Sequence, residues 1–315
     1  MEILITDGYT VNPGDLSWEE ISAFGNLTVY QRTPADLTAE RCKNADIILT
    51  NKVPITKTIL DQIQRVKMIS VMATGYNIVD LSATMERKVL VCNVPAYGTA
   101  SVAQHTIALI LELSNQVGLH SKSVRDGAWI KSPDWSYALT PLIELNGKTL
   151  GLVGFGQIGQ RTASIARALG MEILYTGPQK KETELGKYTN VEFLFTHSDF
   201  ISLHCPQTMD NLAMVNRRLI SLMKPSAFLI NTSRGQLIQE EDLAKALNEG
   251  RIAGAALDVL AIEPPPPGNP LLQAKNCIIT PHNAWKSRDA RQRIMDITVQ
   301  NIRAFLQKEP INTVG

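Results

Sequence analysis

Residues 148–170 read KTLGLVGFGQIGQRTASIARALG and have the pattern strand, tight turn, helix. Three glycines in the turn have the spacing G-x-G-x-x-G: Gly154, Gly156 and Gly159. Lys148–Val153 is an apolar run typical of a buried strand, and Gln160–Leu169 reads as a helix ended by Gly170. In such a unit the first glycine permits the turn, the second leaves room for a pyrophosphate, and the third allows close packing. The stretch therefore predicts dinucleotide binding.

The composition is that of a globular chain with a small-molecule partner. Its 315 residues are enough for about two domains, each with its own core. There are 31 basic and 30 acidic residues, so the formal net charge is +1. This balance argues against binding to nucleic acid or to an acidic membrane surface.

The cysteines and apolar runs indicate a cytoplasmic protein without a metal. The four cysteines lie far apart in the sequence, and no two form a C-x-x-C pair: Cys42, Cys92, Cys205 and Cys277. Reduced thiols fit this spacing better than a disulfide framework or a zinc site. The start, MEILITDGYT, is typical of a first strand rather than a signal peptide. The longest apolar stretch, Ile107–Leu111, is too short to span a bilayer.

Strand-like and helix-like segments alternate in the first third of the chain, which argues for a parallel sheet. The predicted elements are strands Glu2–Asp7, Leu27–Gln31, Ala45–Thr50 and Val66–Ala73 and helix Leu16–Phe24. Pro95 and Gly98 interrupt the pattern and mark the end of this unit.

The glycine motif lies in a second unit with the same alternation. A long apolar helix, Thr99–Leu113, precedes it, with Thr99 as its predicted cap and with faces that suggest burial between two domains. The other predicted elements of this unit are strands Met171–Tyr175, Asp199–His204, Ala227–Asn231, Ala253–Val259 and Cys277–Thr280 and helices Asn216–Met223 and Glu240–Asn248. A last predicted helix, Ser287–Gln307, returns the chain to the first unit.

The predicted fold is α/β, with two Rossmann-like, doubly wound parallel-sheet domains and a cleft between them. The expected domains are a substrate domain, residues 1–98 with 287–315, and a dinucleotide-binding domain, residues 99–286. Residues 117–146 show little periodicity, and a loop this long is usually functional or part of an interface. We interpret it as the arm of a homodimer.

Three residues with polar chemistry follow predicted strands of the second unit: Arg234, Glu263 and His282. Ligands of open parallel sheets bind outside the carboxyl ends of the strands. Each residue alone is more often an ordinary surface or satisfied polar group. Their joint placement in a unit with a dinucleotide motif favours an active site.

The ordered motifs of the chain resemble the D-isomer-specific 2-hydroxyacid dehydrogenases. They are GLVGFGQIG at 151–159, HCP at 204–206, NTSRG at 231–235, ALDV at 256–259 followed by EPP, and PHNA at 281–284. ATGYNIVD at 73–80, CNVPAYG from 92 and SVAQH ending at 105 are similar to the glycerate dehydrogenase and hydroxypyruvate reductase branch.

The resemblance implies an oxidoreductase in which a nicotinamide cofactor exchanges a hydride with a small 2-oxo acid. Arg234 would bind the carboxylate and the ketone by forked hydrogen bonds. His282 would protonate the developing alkoxide near neutral pH, and Glu263 would hold the other ring nitrogen and favour the imidazolium form.

Further site residues are implied by the same resemblance. Backbone N–H groups around Thr74, Gly75 and Tyr76 would hold the substrate carboxylate, although an ordinary turn explains that loop as well. Trp135 would narrow the substrate site of a neighbouring subunit or merely pack in the dimer. The implied cofactor contacts are Gly154, Gly156, Gln157, Ile158, Gly159, His204, Cys205, Pro206, Thr232, Ser233, Arg234, Asp258, His282 and Ala284, with Asp258 on the nicotinamide carboxamide.

One stretch departs from the NAD-specific pattern. NAD-specific folds carry an acidic residue after the second strand for the ribose 2′-OH, whereas ILYTGPQKK has Gly177 at that place. Lys180 and Lys181 follow and can attract a 2′-phosphate, unless they are merely solvated surface lysines. The sequence therefore leans towards NADP(H).

The expected reaction is the interconversion of hydroxypyruvate or glyoxylate with D-glycerate or glycolate. A D-lactate-type or 3-phosphoglycerate-type dehydrogenase is the enzymatic alternative. Formate dehydrogenase is disfavoured, because it resembles this pattern with Gln at position 263. A non-catalytic corepressor that senses NAD(H) is the alternative from another class, and the presence of Arg234, Glu263 and His282 together favours catalysis.

Overall fold

The computed structural model describes residues 1–315, which form two compact units. The first unit comprises Met1–Gly98 and Lys286–Gly315. The second unit is the continuous segment Thr99–Trp285.

The first unit contains a five-stranded, entirely parallel sheet. Its strands are β1 (Glu2–Ile5), β2 (Asn26–Val29), β3 (Ile47–Thr50), β4 (Met68–Val71) and β5 (Leu90–Cys92). Their order is β2-β1-β3-β4-β5, a doubly wound arrangement whose direction of winding changes between β1 and β3. The connecting helices are α1 (Gly8–Val11), α2 (Glu19–Ser22), α3 (Thr38–Cys42), α4 (Lys57–Gln62) and α5 (Leu81–Glu86).

The second unit contains a seven-stranded parallel sheet. Its strands are β6 (Thr149–Val153), β7 (Glu172–Thr176), β8 (Lys187–Tyr188), β9 (Phe200–Leu203), β10 (Phe228–Asn231), β11 (Gly254–Leu257) and β12 (Cys277–Ile279). Their order is β12-β11-β10-β9-β6-β7-β8, so the winding reverses between β6 and β9, which is the usual place for a ligand.

The second unit has six α-helices. They are α6 (Thr99–Asn115), α7 (Val117–Arg125), α8 (Gln157–Ala168), α9 (Val191–His197), α10 (Arg217–Leu222) and α11 (Glu240–Asn248). All of them except α7 contribute buried residues. A final helix, α12 (Arg288–Leu306), belongs to the first unit. The fold class predicted from the sequence, two doubly wound parallel sheets, is confirmed by both strand orders.

The central strands of each sheet are largely apolar because both faces of the sheet are covered there. All four residues of β3, β4, β9 and β10 are buried. At about 25 cal/mol per Å² of apolar surface, this burial is the dominant stabilising contribution. The carboxyl ends of β10, β11 and β12 are therefore the ends of strands that packing on the sheet holds in place.

Several element boundaries differ from the sequence-based predictions. Residues 117–146 are not irregular throughout, because α7 occupies the first nine of them. None of the residues of α7 is buried. The helix therefore has no core-facing stripe of apolar residues, which is the sequence pattern that predicts a helix. Helix α8 begins at Gln157 rather than Gln160, with Gly156 as its N-cap and the Gln160 N–H bound to the Gly156 carbonyl.

Candidate active site

His282 and Glu263 form a hydrogen-bonded pair beyond the ends of β12 and β11. His282 Nδ1 lies 2.5 Å from Glu263 Oε2. The other carboxylate oxygen of Glu263 accepts the Leu260 N–H at 3.0 Å. Because a carboxylate can only accept, Nδ1 carries the proton of this bond. Nε2 is then the ring atom left to exchange a proton with a ligand.

The backbone of His282 is in the left-handed region, with φ at +49°. A residue with a side chain adopts this conformation only where its surroundings enforce it. The His282 N–H donates to the Asp258 carbonyl at 2.8 Å. The Asp258 carboxylate, only 1% exposed, accepts from the Asn283 and Ala284 N–H groups at 2.9 Å each. Asp258 thus holds the loop that carries the imidazole.

Arg234 lies just past the end of β10 and is exposed. The turn before it is closed by Asn231, whose Nδ2 donates to the Arg234 carbonyl and whose Oδ1 accepts the Ser233 N–H, both at 2.9 Å. Arg234 itself has extended backbone geometry and starts a short 3₁₀ turn, Gly235–Leu237. The guanidinium has one local bond, Nη1 to the Ser233 carbonyl at 2.8 Å. Its remaining donors are available to an anion.

The residue after Arg234 brings this loop against the Glu263 loop. A Cβ placed on Gly235 would lie 1.9 Å from the Leu260 carbonyl carbon. Only glycine permits this approach of two backbones. The Leu260 N–H also donates to Glu263. The contact of Gly235 with Leu260 therefore connects the loops of the three predicted residues, which follow the adjacent strands β10, β11 and β12.

The glycine motif has the shape that a pyrophosphate requires. Gly154 has a φ of +99° and its Cβ would lie 2.5 Å from the Cys205 nitrogen. A Cβ on Gly159 would lie 2.5 Å from the Gly154 carbonyl, so helix and strand pack closely. A Cβ on Gly156 would meet nothing within 4 Å. Gly156 is also the N-cap of α8, where N–H groups favour an anion, and the residues therefore fit a dinucleotide.

The loop after β7 is held open by two tyrosines. The Tyr188 hydroxyl donates to the Gly177 carbonyl at 3.1 Å, and the Tyr175 hydroxyl donates to the Lys181 carbonyl at 2.9 Å. A Cβ on Gly177 would meet nothing within 4 Å, and Lys180 is exposed.

The residues after β9 that are predicted to contact the cofactor, His204 and Cys205, are largely shielded from water. Desolvation lowers the pKa of His204 to about 4, and its Nε2 lies 3.0 Å from Ser202 Oγ. Burial also raises the pKa of the Cys205 thiol, so this cysteine is not activated as a nucleophile. Ser233 Oγ donates to the Cys205 carbonyl at 2.5 Å, and Thr232 Oγ1 lies 3.0 Å from Thr106 Oγ1. These bonds join the ends of β9 and β10 to α6.

His204 predicts a pH dependence of stability. Its pKa is about 4 in the folded chain, below the usual value of 6.5, so below pH 6.5 the unfolded chain binds a proton that the folded chain does not. The free energy of unfolding should therefore fall as the pH drops towards 4, by at most about 2 kcal/mol between pH 7 and pH 5. Urea unfolding of wild type and His204→Gln measures this difference. Equal pH slopes for the two proteins would contradict it.

The loop after β4 lies in the first unit. Thr74 Oγ1 donates to the Val94 carbonyl at 2.9 Å, and the Thr74 carbonyl accepts from Asn93 Nδ2 at 2.8 Å. Tyr76 is 39% exposed, and its carbonyl accepts the Val79 N–H. The loop is thus tied down at its start, while its predicted role in carboxylate binding stays a prediction.

Comparison with known proteins places the chain in a family. The family model described as D-isomer specific 2-hydroxyacid dehydrogenase, NAD binding domain, matches residues 107–284, more than half of the sequence. The chain belongs to the D-isomer specific 2-hydroxyacid dehydrogenase family. The resemblance of its motifs is thereby confirmed, and the chain is an enzyme that uses a nicotinamide cofactor.

Similar proteins cover the whole chain. A hydroxypyruvate reductase of Blautia hydrogenotrophica is 45% identical over 100% of both chains. A glycerate dehydrogenase of Methylorubrum extorquens is 39% identical over 90% of this chain and 89% of that protein. A crystal structure of the D-lactate dehydrogenase of Aquifex aeolicus, complexed with NAD and lactic acid, is 30% identical. It covers 98% of this chain and 96% of that chain with a TM-score of 0.85.

Other residues of this dehydrogenase stabilise the Glu263 loop, and sequence reasoning missed them. Glu240 accepts the Ala261 N–H at 2.8 Å and Asn269 Nδ2 at 2.7 Å. The sequence contains a feature that could have revealed the role of Gly235, since this glycine follows Arg234 in the NTSRG motif. It contains no such feature for Glu240, because the bonds of Glu240 join segments more than twenty residues apart.

The predicted dimer arm exposes much apolar surface in this dehydrogenase chain. Trp135 is 92% and Ile130 is 90% exposed. The Trp129 Nε1–H donates to the Trp135 carbonyl at 3.0 Å.

No helix of the structure is long and apolar enough for a membrane span. Nor does any group of three or more His, Cys, Asp and Glu side chains offer a metal site.

Proposed function

We propose that this dehydrogenase reduces hydroxypyruvate and glyoxylate to D-glycerate and glycolate, with Arg234, Glu263 and His282 as its catalytic residues. The observation that carries the proposal is the His282–Glu263 bond of 2.5 Å, at the same sheet edge as Arg234 and in the unit with the glycine motif. The similarity to a hydroxypyruvate reductase and to a glycerate dehydrogenase supports this choice of substrate.

Arg234 binds the substrate in this proposal. A 2-oxo acid presents a carboxylate beside a ketone, and a planar guanidinium can donate to both groups at once. Its donation to the ketone oxygen polarises the carbonyl and stabilises negative charge as it develops there. The Gly235–Leu260 contact holds the backbone that follows Arg234 against the Glu263 loop.

His282 supplies the proton. When bound, the reduced nicotinamide supplies a hydride to the ketone carbon. The proton on Nε2 of the imidazolium passes to the ketone oxygen, which becomes the hydroxyl, and the ring becomes neutral with its proton on Nδ1. Glu263 holds Nδ1–H in both forms and stabilises the positive charge before transfer.

The other predicted contacts complete the proposal. The residues around Gly156 bind the dinucleotide. The N–H groups of the Thr74–Tyr76 loop bind the substrate carboxylate. The four cysteines are free, and burial raises the pKa of Cys42 and Cys277 to about 12, which suits a reducing cytoplasm.

Residues 117–146 form the arm of a homodimer in this proposal. The proposal rests on the exposed large apolar side chains of this segment, because exposed apolar surface on this scale is normally covered by a partner: Val117, Leu119, Trp129, Ile130, Trp135 and Leu142. Trp135 either packs in that interface or reaches the substrate site of the second subunit.

The cofactor is proposed to be NADP(H), because Gly177 leaves room where an acidic residue would repel a 2′-phosphate. Gly177→Asp should shift the ratio of kcat/KM values towards NADH by about tenfold, since the carboxylate accepts from ribose hydroxyls and repels phosphate. Steady-state kinetics with both cofactors measures the ratio. Gly268→Asp, at another open glycine, is the control. An unchanged ratio in the Gly177 variant would remove this argument.

A panel of 2-oxo acids, each assayed with NADPH and NADH, tests the proposed function. Hydroxypyruvate and glyoxylate should have the highest kcat/KM. A preference for pyruvate or phosphohydroxypyruvate would favour the lactate-type or phosphoglycerate-type alternative. Cofactor binding without turnover of any member would favour a corepressor-like binding protein.

A further inference from the structure

We propose that His105 is a positioning residue for His282, acting through Thr280 and Asp258. The proposal rests on the role of His282 given above. His105 lies on α6 and ends the SVAQH segment, to which the catalytic mechanism gives no role. Its side chain is 23% exposed and is directed towards the residues that anchor the His282 loop.

The three groups form a relay with a defined direction. His105 Nε2 lies 3.1 Å from Thr280 Oγ1 and 3.6 Å from Asp258 Oδ1. Thr280 Oγ1 lies 2.6 Å from Asp258 Oδ1. A hydroxyl has one proton and a carboxylate only accepts, so Thr280 donates to Asp258 and must accept from His105. The structure thus assigns a proton to His105 Nε2.

The relay ends at the backbone of the proton donor. The Asp258 carboxylate holds the N–H groups of Asn283 and Ala284, and the Asp258 carbonyl holds that of His282. These bonds enforce the left-handed backbone of His282, a conformation that residues with a side chain seldom adopt. Two of the three bonds are accepted by the Asp258 carboxylate. His105 orients the Thr280 hydroxyl towards that carboxylate.

A purely structural role of His105 in attaching α6 is the alternative. The next residue, Thr106, already provides such an attachment, because it is fully buried and bonded to Thr232 on the β10 loop. Apolar residues of the same helix, such as Ile107 and Ile110, pack into the core of the unit. The imidazole is therefore not required to hold the helix, whereas its donor is required to satisfy Thr280.

NMR of protein with ¹³C-labelled histidine rings tests the relay without any need for activity. The chain has five histidines, and the His282 signal is assigned with His282→Asn. We expect His105→Leu to shift the His282 signal and His105→Gln, which keeps a side-chain N–H donor, to leave it in place. Thr280→Val and Thr280→Ser form a second pair with the same expectation. A His282 signal that stays in place in both His105→Leu and Thr280→Val would overturn the proposal.

Kinetics separates positioning from mere packing. In hydroxypyruvate reduction, His105→Leu should lower kcat about three- to tenfold, the effect of one hydrogen bond, with KM unchanged and with recovery in His105→Gln. The double variant with Thr280→Val should be no slower than the slower single variant, because the relay is cut only once. If the kcat losses of the two single variants multiply in the double variant, the relay is contradicted.

The two proposals fail in different ways. A His282 signal that shifts in His105→Leu, together with a wild-type enzyme that reduces no 2-oxo acid, would refute the proposed function and support the relay. An unchanged signal together with normal reduction would refute the relay and support the function.

Discussion

His282→Asn is expected to lower kcat for hydroxypyruvate reduction by about 10²- to 10⁴-fold, the usual contribution of a general acid. The proton for the alkoxide then has to come from water. Asparagine is the best replacement because it tolerates the left-handed backbone that His282 adopts at a φ of +49°. Cofactor affinity should stay within about twofold, since the glycine motif is untouched.

Stopped-flow and equilibrium titration measure the two quantities separately. His197→Asn is the matched control, because His197 is an exposed histidine whose ring stacks only on Phe193 of the same helix. An unchanged kcat in His282→Asn would show that the proton has another source and would remove His282 from the mechanism.

Arg234→Lys is expected to lower kcat/KM by about 10- to 150-fold, with a higher KM and a lower kcat together. Lysine keeps the charge but loses the fork that reaches both carboxylate and ketone, and one charge-assisted hydrogen bond corresponds to about 1.5–3 kcal/mol. The loss in kcat follows from the bond to the ketone oxygen, which strengthens as charge develops.

The control for this substitution is Arg218→Lys. Arg218 is exposed and pairs with Glu192 on the surface of the same unit, so its loss should leave the kinetics unchanged. An effect of less than twofold on kcat/KM in Arg234→Lys would be too small for the proposed contact.

The fold could be predicted largely from local pattern. Parallel strands covered on both faces are continuous apolar runs, and the runs around Ile48, Ile69 and Ile201 all became strands. Strand β8 could not be predicted, because its two residues are Lys187 and Tyr188 and only their pairing with β7 makes them a strand. Helix α7 was missed for a related reason, since its apolar residues stay exposed and form no stripe.

The candidate site could be predicted in outline but not in its supports. Arg234, Glu263 and His282 each follow a strand, and parallel strands bring their carboxyl ends to one edge. The contact of Gly235 with Leu260 and the bonds around Asp258 depend on loops that meet only in the folded chain. No pattern of single residues encodes them. The same holds for His105, whose partner Thr280 is 175 positions away.

A crystal structure of the enzyme with NADP⁺ and oxamate, a non-reducible analogue of a 2-oxo acid, tests the central claim most directly. We predict the Arg234 guanidinium on the carboxylate and on the carbonyl oxygen of oxamate. We also predict His282 Nε2 within about 2.6–3.2 Å of that oxygen, with Glu263 still bound to Nδ1. Oxamate bound away from Arg234, or an imidazole turned from the carbonyl oxygen, would contradict the proposed mechanism.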